Sequence, residues 1–152
     1  MKRFLMLVVA GVFALTAAAA SASTNDGDRI LGVYKAVKDG AVSKVRISKI
    51  GDNAYQAQVF WLENDKHKDG IKRTDVKNPD PAKRNTPSDQ IVLIENVSYV
   101  AEDNEWKNGN IYDPTRGDVF KVIINFHDEK TIRVRGFVGP FSKSFYWQKL
   151  DE

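Results

Sequence analysis

Strict alternation of apolar and polar residues runs through most of this chain, and a period of two admits strands while arguing against amphipathic helices. Tyr55, Ala57, Val59 and Trp61 share one face, with Gln56 and Gln58 on the other. Phe120, Val122, Ile124 and Phe126 repeat the pattern, as do Ile132 and Val134 against Arg133 and Arg135, and residues 127–130 supply the turn between these two runs. Further strands are expected over residues 30–37, 43–50, 90–100, 109–112 and 144–150, punctuated by Asp39-Gly40, Gly51-Asp52-Asn53 and Asp113-Pro114. No window of helical length carries a 3.6-residue stripe. About eight short strands joined by tight turns point to a closed barrel or a sandwich, and closure removes the exposed edges that invite aggregation.

The N-terminus has a different grammar. Lys2 and Arg3 precede an apolar run from Phe4 to Leu15, and a small-residue stretch ends at Ala20-Ser21-Ala22, the pattern of a Sec-type secretory signal peptide. The run is shorter than the ~20 apolar residues of a membrane span, so cleavage is expected, with no span remaining. The chain has no Cys for a lipoprotein anchor. Two segments follow: a signal peptide over residues 1–22 and one domain over residues 23–152, periplasmic or secreted. Losing Lys2 and Arg3 lowers the cations from 23 to 21 against 20 acids, so the mature domain is nearly neutral. Such a balance carries no electrostatic footprint for nucleic acid or an anionic membrane. Without disulfides, an exported domain of this kind must be stabilised by its core.

One segment cannot be a helix or a central strand. Residues 75–84, Asp-Val-Lys-Asn-Pro-Asp-Pro-Ala-Lys-Arg, hold two prolines that fix two φ angles and remove two backbone donors. They predict a stiff polar loop. Asp75, Asn78, Asp80 and Arg84 would form a cluster there, with Asp113 joining from a second motif, and two roles fit. Arg84 can grip an anionic head group through its planar fork. Alternatively, Asp and Asn before Pro bond their own backbone, with Arg84 pinned on Asp75 or Asp113 as a structural clasp.

The second motif is Trp106 followed by Gly109-Asn110-Ile111-Tyr112-Asp113-Pro114 and Gly117; then come Arg133-Val134-Arg135-Gly136-Phe137 and an aromatic close at Trp147. With Gly32-Val33-Tyr34 near the mature start, this order resembles the bacterial exported family catalogued as domain of unknown function 2147. The resemblance implies a lipocalin-like fold, a single antiparallel up-and-down β-barrel. It also implies that Gly32-Val33-Tyr34 stands where lipocalins carry Gly-x-Trp, with Arg135 or Lys149 as cationic partner. The chain departs from the family pattern after Arg84, where Thr86-Pro87-Ser88-Asp89 replaces a Gly-containing apolar turn.

Chemistry-bearing residues are sparse. Asp75, Asp80 and Asp113 are the motif-borne carboxylates for acid-base work of a hydrolase. No Cys nucleophile or Gly-x-Ser-x-Gly elbow is present. His67 and His127 each sit in a polar turn, and the faint calcium-loop echo from Asp65 fails at Val76, where a bidentate Glu belongs. Neither a catalytic residue, a metal nor a cofactor is therefore expected. Tyr55, Trp61, Phe120, Phe126 and Trp147 are candidates to fill the interior or line a cavity. Glu95 interrupts the apolar run of residues 91–97, as a bulge turned to solvent or as an inward acid. The leading expectation is non-catalytic binding of a small hydrophobic ligand, with Asp75, Asn78, Asp80, Arg84, Trp106, Tyr112 and Asp113 as binding or clasp residues. The alternative is a cell-envelope interaction or structural protein whose polar loops face a protein partner, and a carboxylate-based hydrolase comes third.

Overall fold

A computed structural model describes residues 25–152. The signal segment expected over residues 1–22 lies outside the described residues. Eight strands, β1 (Gly32–Lys38), β2 (Ala41–Gly51), β3 (Ala54–Leu62), β4 (Val92–Val100), β5 (Glu105–Asp113), β6 (Asp118–Phe126), β7 (Thr131–Val138) and β8 (Phe141–Leu150), close into one antiparallel barrel in sequence order. The fold is the lipocalin-like up-and-down barrel that alternation and resemblance predict. Several strand starts differ from expectation: β2 begins two residues early, β8 three early and β4 two late. Ile30 belongs to a short 3-10 turn, Asp26–Ile30, capped by the Asn25 side chain, so β1 starts at Gly32. β5 begins four residues early, because its outer face is polar and its ladder is broken by Asn108, whose φ of 66° a strand pattern does not anticipate.

Inward positions build the core. Tyr34, Val45, Tyr55, Ile94, Val97, Trp106, Val122, Ile124, Ile132, Val134 and Trp147 form a single buried cluster. Burying such side chains contributes about 1.5–3 kcal/mol each. The Asp26–Ile30 turn plugs one end: its Gly27 carbonyl accepts the Trp106 indole N–H at 3.1 Å, its Ile30 carbonyl accepts the Tyr34 hydroxyl at 2.8 Å, and Asp28 accepts the Tyr55 hydroxyl at 2.7 Å. The Arg29 guanidinium lies over the rings of Tyr99, Trp106 and Phe126 at 5.1–5.4 Å. Lys149 completes the plug, donating to the Arg29 carbonyl at 3.1 Å and lying 5.9 Å from the Tyr34 ring centre. Lys149, and not Arg135, is thus the cation beside Gly32-Val33-Tyr34, since Arg135 pairs with Glu105 at 3.0 Å on the outer surface.

The other end, the mouth, carries the turn Asp39-Gly40, the long connection of residues 63–91, and the turns after β5 and β7. The β1–β8 seam is short. Only Val33, Tyr34 and Lys35 pair with β8, so residues 36–38 of β1 and residues 145–147 of β8, which that register sets opposite each other, are unpaired across the seam toward the mouth.

Candidate functional site

Three regions compete as a site: the polar loop, the inside of the mouth and the outer face of β4 and β5. In the loop, Asp75 is 3% exposed. Its carboxylate accepts the Tyr112 hydroxyl at 2.7 Å and the Asn78 amide at 2.8 Å. The Asn78 side-chain oxygen accepts the Asp80 backbone N–H, and Asp80 in turn caps the short turn Pro81–Lys83 through Ala82. Arg84 donates through Nε to the Asn78 carbonyl at 2.8 Å, and so pairs with neither Asp75 nor Asp113. Lys77 ties the loop to the β5–β6 turn by donating to the Thr115 carbonyl. Each side-chain oxygen of Asp75 and Asn78 already accepts a bond within the clasp. Burial, reinforced by the bond to Asp75, pushes the Tyr112 hydroxyl well above its ordinary pKa, so it remains a donor.

Trp106 and Asp113 leave the cluster in which they were expected. A register shift between Trp106 and Gly109 inserts one residue into β5, which reverses the alternation beyond it. Trp106 therefore points into the barrel at the plugged end, Tyr112 points outward to Asp75, and Asp113 points inward at the mouth. There Asp113 meets Lys38 at 2.7 Å. β1 and β5 are four strands apart in either direction round the sheet, so this ion pair crosses the opening. Burial acts to raise the Asp113 carboxyl, but the Lys38 ammonium and the Thr115 donors outweigh it and hold its pKa below the usual value.

Of the expected cavity-lining aromatics, Tyr55 and Trp147 are buried core, and Phe126 packs on Trp106 at 5.7 Å beside the plug. Trp61 is turned outward. A bulge between Lys44 and Val45 on the β2–β3 ladder places it opposite Lys44 on the outer surface, where it is 43% exposed. Phe120 alone of the five lies at the mouth. Glu95 is turned to solvent, next to Asn96 at φ 56°.

The mouth holds residues that the sequence reading passed over. β7 and β8 pair without a register break, so Val138 and Phe141 share the inner face with Val134 and Trp147. Both are open to solvent, Val138 at 57% and Phe141 at 76%. Partly buried Phe145 and Ile111 continue this strip downward, and Lys143 stands 5.1 Å from the Phe145 ring centre. The period-two series 141, 143, 145, 147 was the signal that could have found them.

On the outer face, a groove of about 560 Å³ separates the polar loop from β4 and β5. A second of about 530 Å³ adjoins it across Asn108, Gly109 and Asn110. Among the described residues, no group of His, Cys, Asp and Glu is placed to hold a metal ion.

The family described as "Uncharacterized protein conserved in bacteria (DUF2147)" matches over residues 32–149. The chain belongs to this family. Its barrel is also similar to a solved structure, protein HP1028 from the human pathogen Helicobacter pylori, which is described as belonging to the lipocalin family. The two share 22% identity and a TM-score of 0.62, over 80% of this chain and 83% of that one. At that identity the likeness speaks for the fold. Among curated proteins none matches. The family spans both motifs, the loop and the β5 segment, and in this member the motifs serve as clasp and wall.

Proposed function

We propose that this protein is an exported barrel that binds a small hydrophobic ligand at its mouth, without catalysis. The observation that supports the reading is a strip of apolar side chains, Phe141, Val138, Phe145, Phe120 and Ile111, carried on the inner face of the sheet yet left partly or largely open to solvent. Folding buries such residues when it can. Leaving them at an opening above a packed core is the arrangement of a shallow apolar site with a few polar groups at its rim. Lys38, Asp113 and Lys143 supply that rim, and the unpaired stretch of the β1–β8 seam widens the approach from the side. The ligand would lie against the mouth and not deep inside, because Tyr34, Tyr55, Trp106 and Trp147 occupy the lower barrel.

The test is saturable binding of the fluorescent probe 1-aminoanthracene, followed by its displacement with amphiphiles extracted from the native periplasm. Phe141→Ser should weaken probe binding about tenfold, the equivalent of ~1.4 kcal/mol, with an unchanged melting temperature. Undiminished binding in that variant would remove the mouth as the site. Export is checked by fractionation, which should find the chain outside the cytoplasm with a new N-terminus near Ser23.

A second reading, a protein-facing surface, is favoured by exposed Val37 and Tyr146, which flank the open stretch of the same seam. Those residues would form the rim of an envelope partner's footprint. A cross-link to a single envelope protein from position 146, with no saturable probe binding, would select it.

A further inference from the structure

The groove between the polar loop and the outer face of β4 and β5 has no part in mouth binding, and its chemistry is different. Its wall is rigid before any ligand arrives, because the Asp75, Asn78, Asp80 and Arg84 bonds fix the loop against Tyr112. Its floor includes two asparagines with left-handed backbones, Asn96 on β4 at φ 56° and Asn108 on β5 at φ 66°, at the break in the ladder between Glu95–Asn110 and Ser98–Lys107, where Asn96 stands opposite Gly109. Gly109 makes that approach possible: a Cβ there would sit 2.7 Å from the Asn96 carbonyl oxygen. Asn96, Asn108 and Asn110 are all exposed, their planar amides presented to solvent. Around them stand Asp80 and Glu95, and the half-buried Tyr112 ring adjoins Val119 as an apolar strip.

We propose that this groove binds a neutral saccharide. Amides that donate and accept side by side, together with carboxylates that only accept, match vicinal hydroxyls, each of which donates and accepts. A ring fixed by its bonded hydroxyl offers a flat apolar platform for the C–H face of a sugar. The volume of about 560 Å³ falls within the ~300–1,000 Å³ of small-molecule sites, and suits a mono- or disaccharide. Anions fit poorly. The lining cation, Lys83, is met by Glu95 at 3.7 Å, and Asp80 adds a further negative charge. A rigid wall also spares the ordering cost that a mobile loop would impose on binding.

The experiment is a titration of the full mature protein with maltose and with N,N′-diacetylchitobiose at concentrations up to tens of millimolar, read by 15N chemical shifts. The expected result is saturable shifts in the side-chain amides of Asn96, Asn108 and Asn110, with none on adding inorganic phosphate. Asn110→Ala, an exposed change that leaves the fold intact, should weaken binding at least fivefold, while Phe141→Ser leaves it unchanged. Absence of amide shifts with both sugars overturns the proposal. So does sugar binding that survives Asn110→Ala but is lost in Phe141→Ser, which would move the sugar to the mouth.

Discussion

Asp75 sits at the centre of the clasp, and replacing it by asparagine separates charge from shape. In the Asp75→Asn variant the amide oxygen can still accept the Tyr112 hydroxyl. The new amide nitrogen, however, faces the Asn78 nitrogen across 2.8 Å, donor against donor. Losing one bond to a charged group costs about 1.5–3 kcal/mol, lessened because a buried charge disappears with it. Rotating the Asn78 amide would restore that contact, but only by giving up its bond from the Asp80 N–H, worth about 1 kcal/mol. The net expectation is a loss of about 2 kcal/mol, or roughly 6–10 °C in Tm for a domain of this size. The swap Asp75→Asn with Asn78→Asp tests the reasoning. An amide at position 75 donates to a carboxylate at position 78, which keeps the Asp80 N–H bond through its other oxygen, so most of the loss should return. Thermal unfolding followed by circular dichroism measures wild type, the two single variants Asp75→Asn and Asn78→Asp, and the swap. If the swap is as unstable as the sum of its single variants, matched donors and acceptors are not what holds this loop.

Arg84→Ala removes the Nε bond to the Asn78 carbonyl and should lower stability by about 0.5–1.5 kcal/mol in urea unfolding; no change would show the guanidinium to be free of the clasp. Gly109→Ala forces a methyl to within 2.7 Å of the Asn96 carbonyl oxygen and 2.8 Å of the Val97 side chain. Both neighbours belong to a core strand, so a cost of about 1–3 kcal/mol is expected in the same assay. The Lys38–Asp113 pair gives a pH signature. Because the folded Asp113 carboxyl titrates below its unfolded value, the pair's stabilisation is complete above that unfolded value, near pH 4, and is lost as pH falls through the folded one. Lys38→Met should therefore be less stable than wild type at pH 6, by no more than about 1 kcal/mol for so open a pair. The difference should vanish in acid unfolding near pH 2, and a gap that widened on acidification would contradict the sign.

Strands such as β3, β6 and β7 were legible because alternation reports directly which side of a sheet meets the core. The plug was half legible: Gly32-Val33-Tyr34 pointed to a cation, and backbone path then selected Lys149 over Arg135. What escaped was parity after a bulge. A single inserted residue in β5 sends Trp106 and Tyr112 to opposite faces and Asp113 to the mouth, and nothing in Trp-Lys-Asn-Gly-Asn marks where that insertion falls. Trp61 was misplaced for the same reason, by the irregularity opposite Lys44. The clasp itself was readable, since Asp75, Asn78 and Asp80 bond within a few residues of each other. Its partner, Tyr112, lies 37 positions away, and no local rule reaches that far.

The seam between β1 and β8 sets how the barrel is assembled. Seven of the eight strand contacts join neighbours in sequence, and of these only β3–β4 spans a long connection. The eighth joins residues 33–35 to residues 148–150 through three pairs. Closing it demands the largest loop entropy in the fold and returns only three residue pairs, as few as the β3–β4 ladder. The molecule is better described as a curled ribbon of hairpins, fastened at its foot by the plug and by Lys149, than as a uniform cylinder. A ribbon held in that way flexes first where it is unfastened, which makes the width of the mouth a property of the last contact to form.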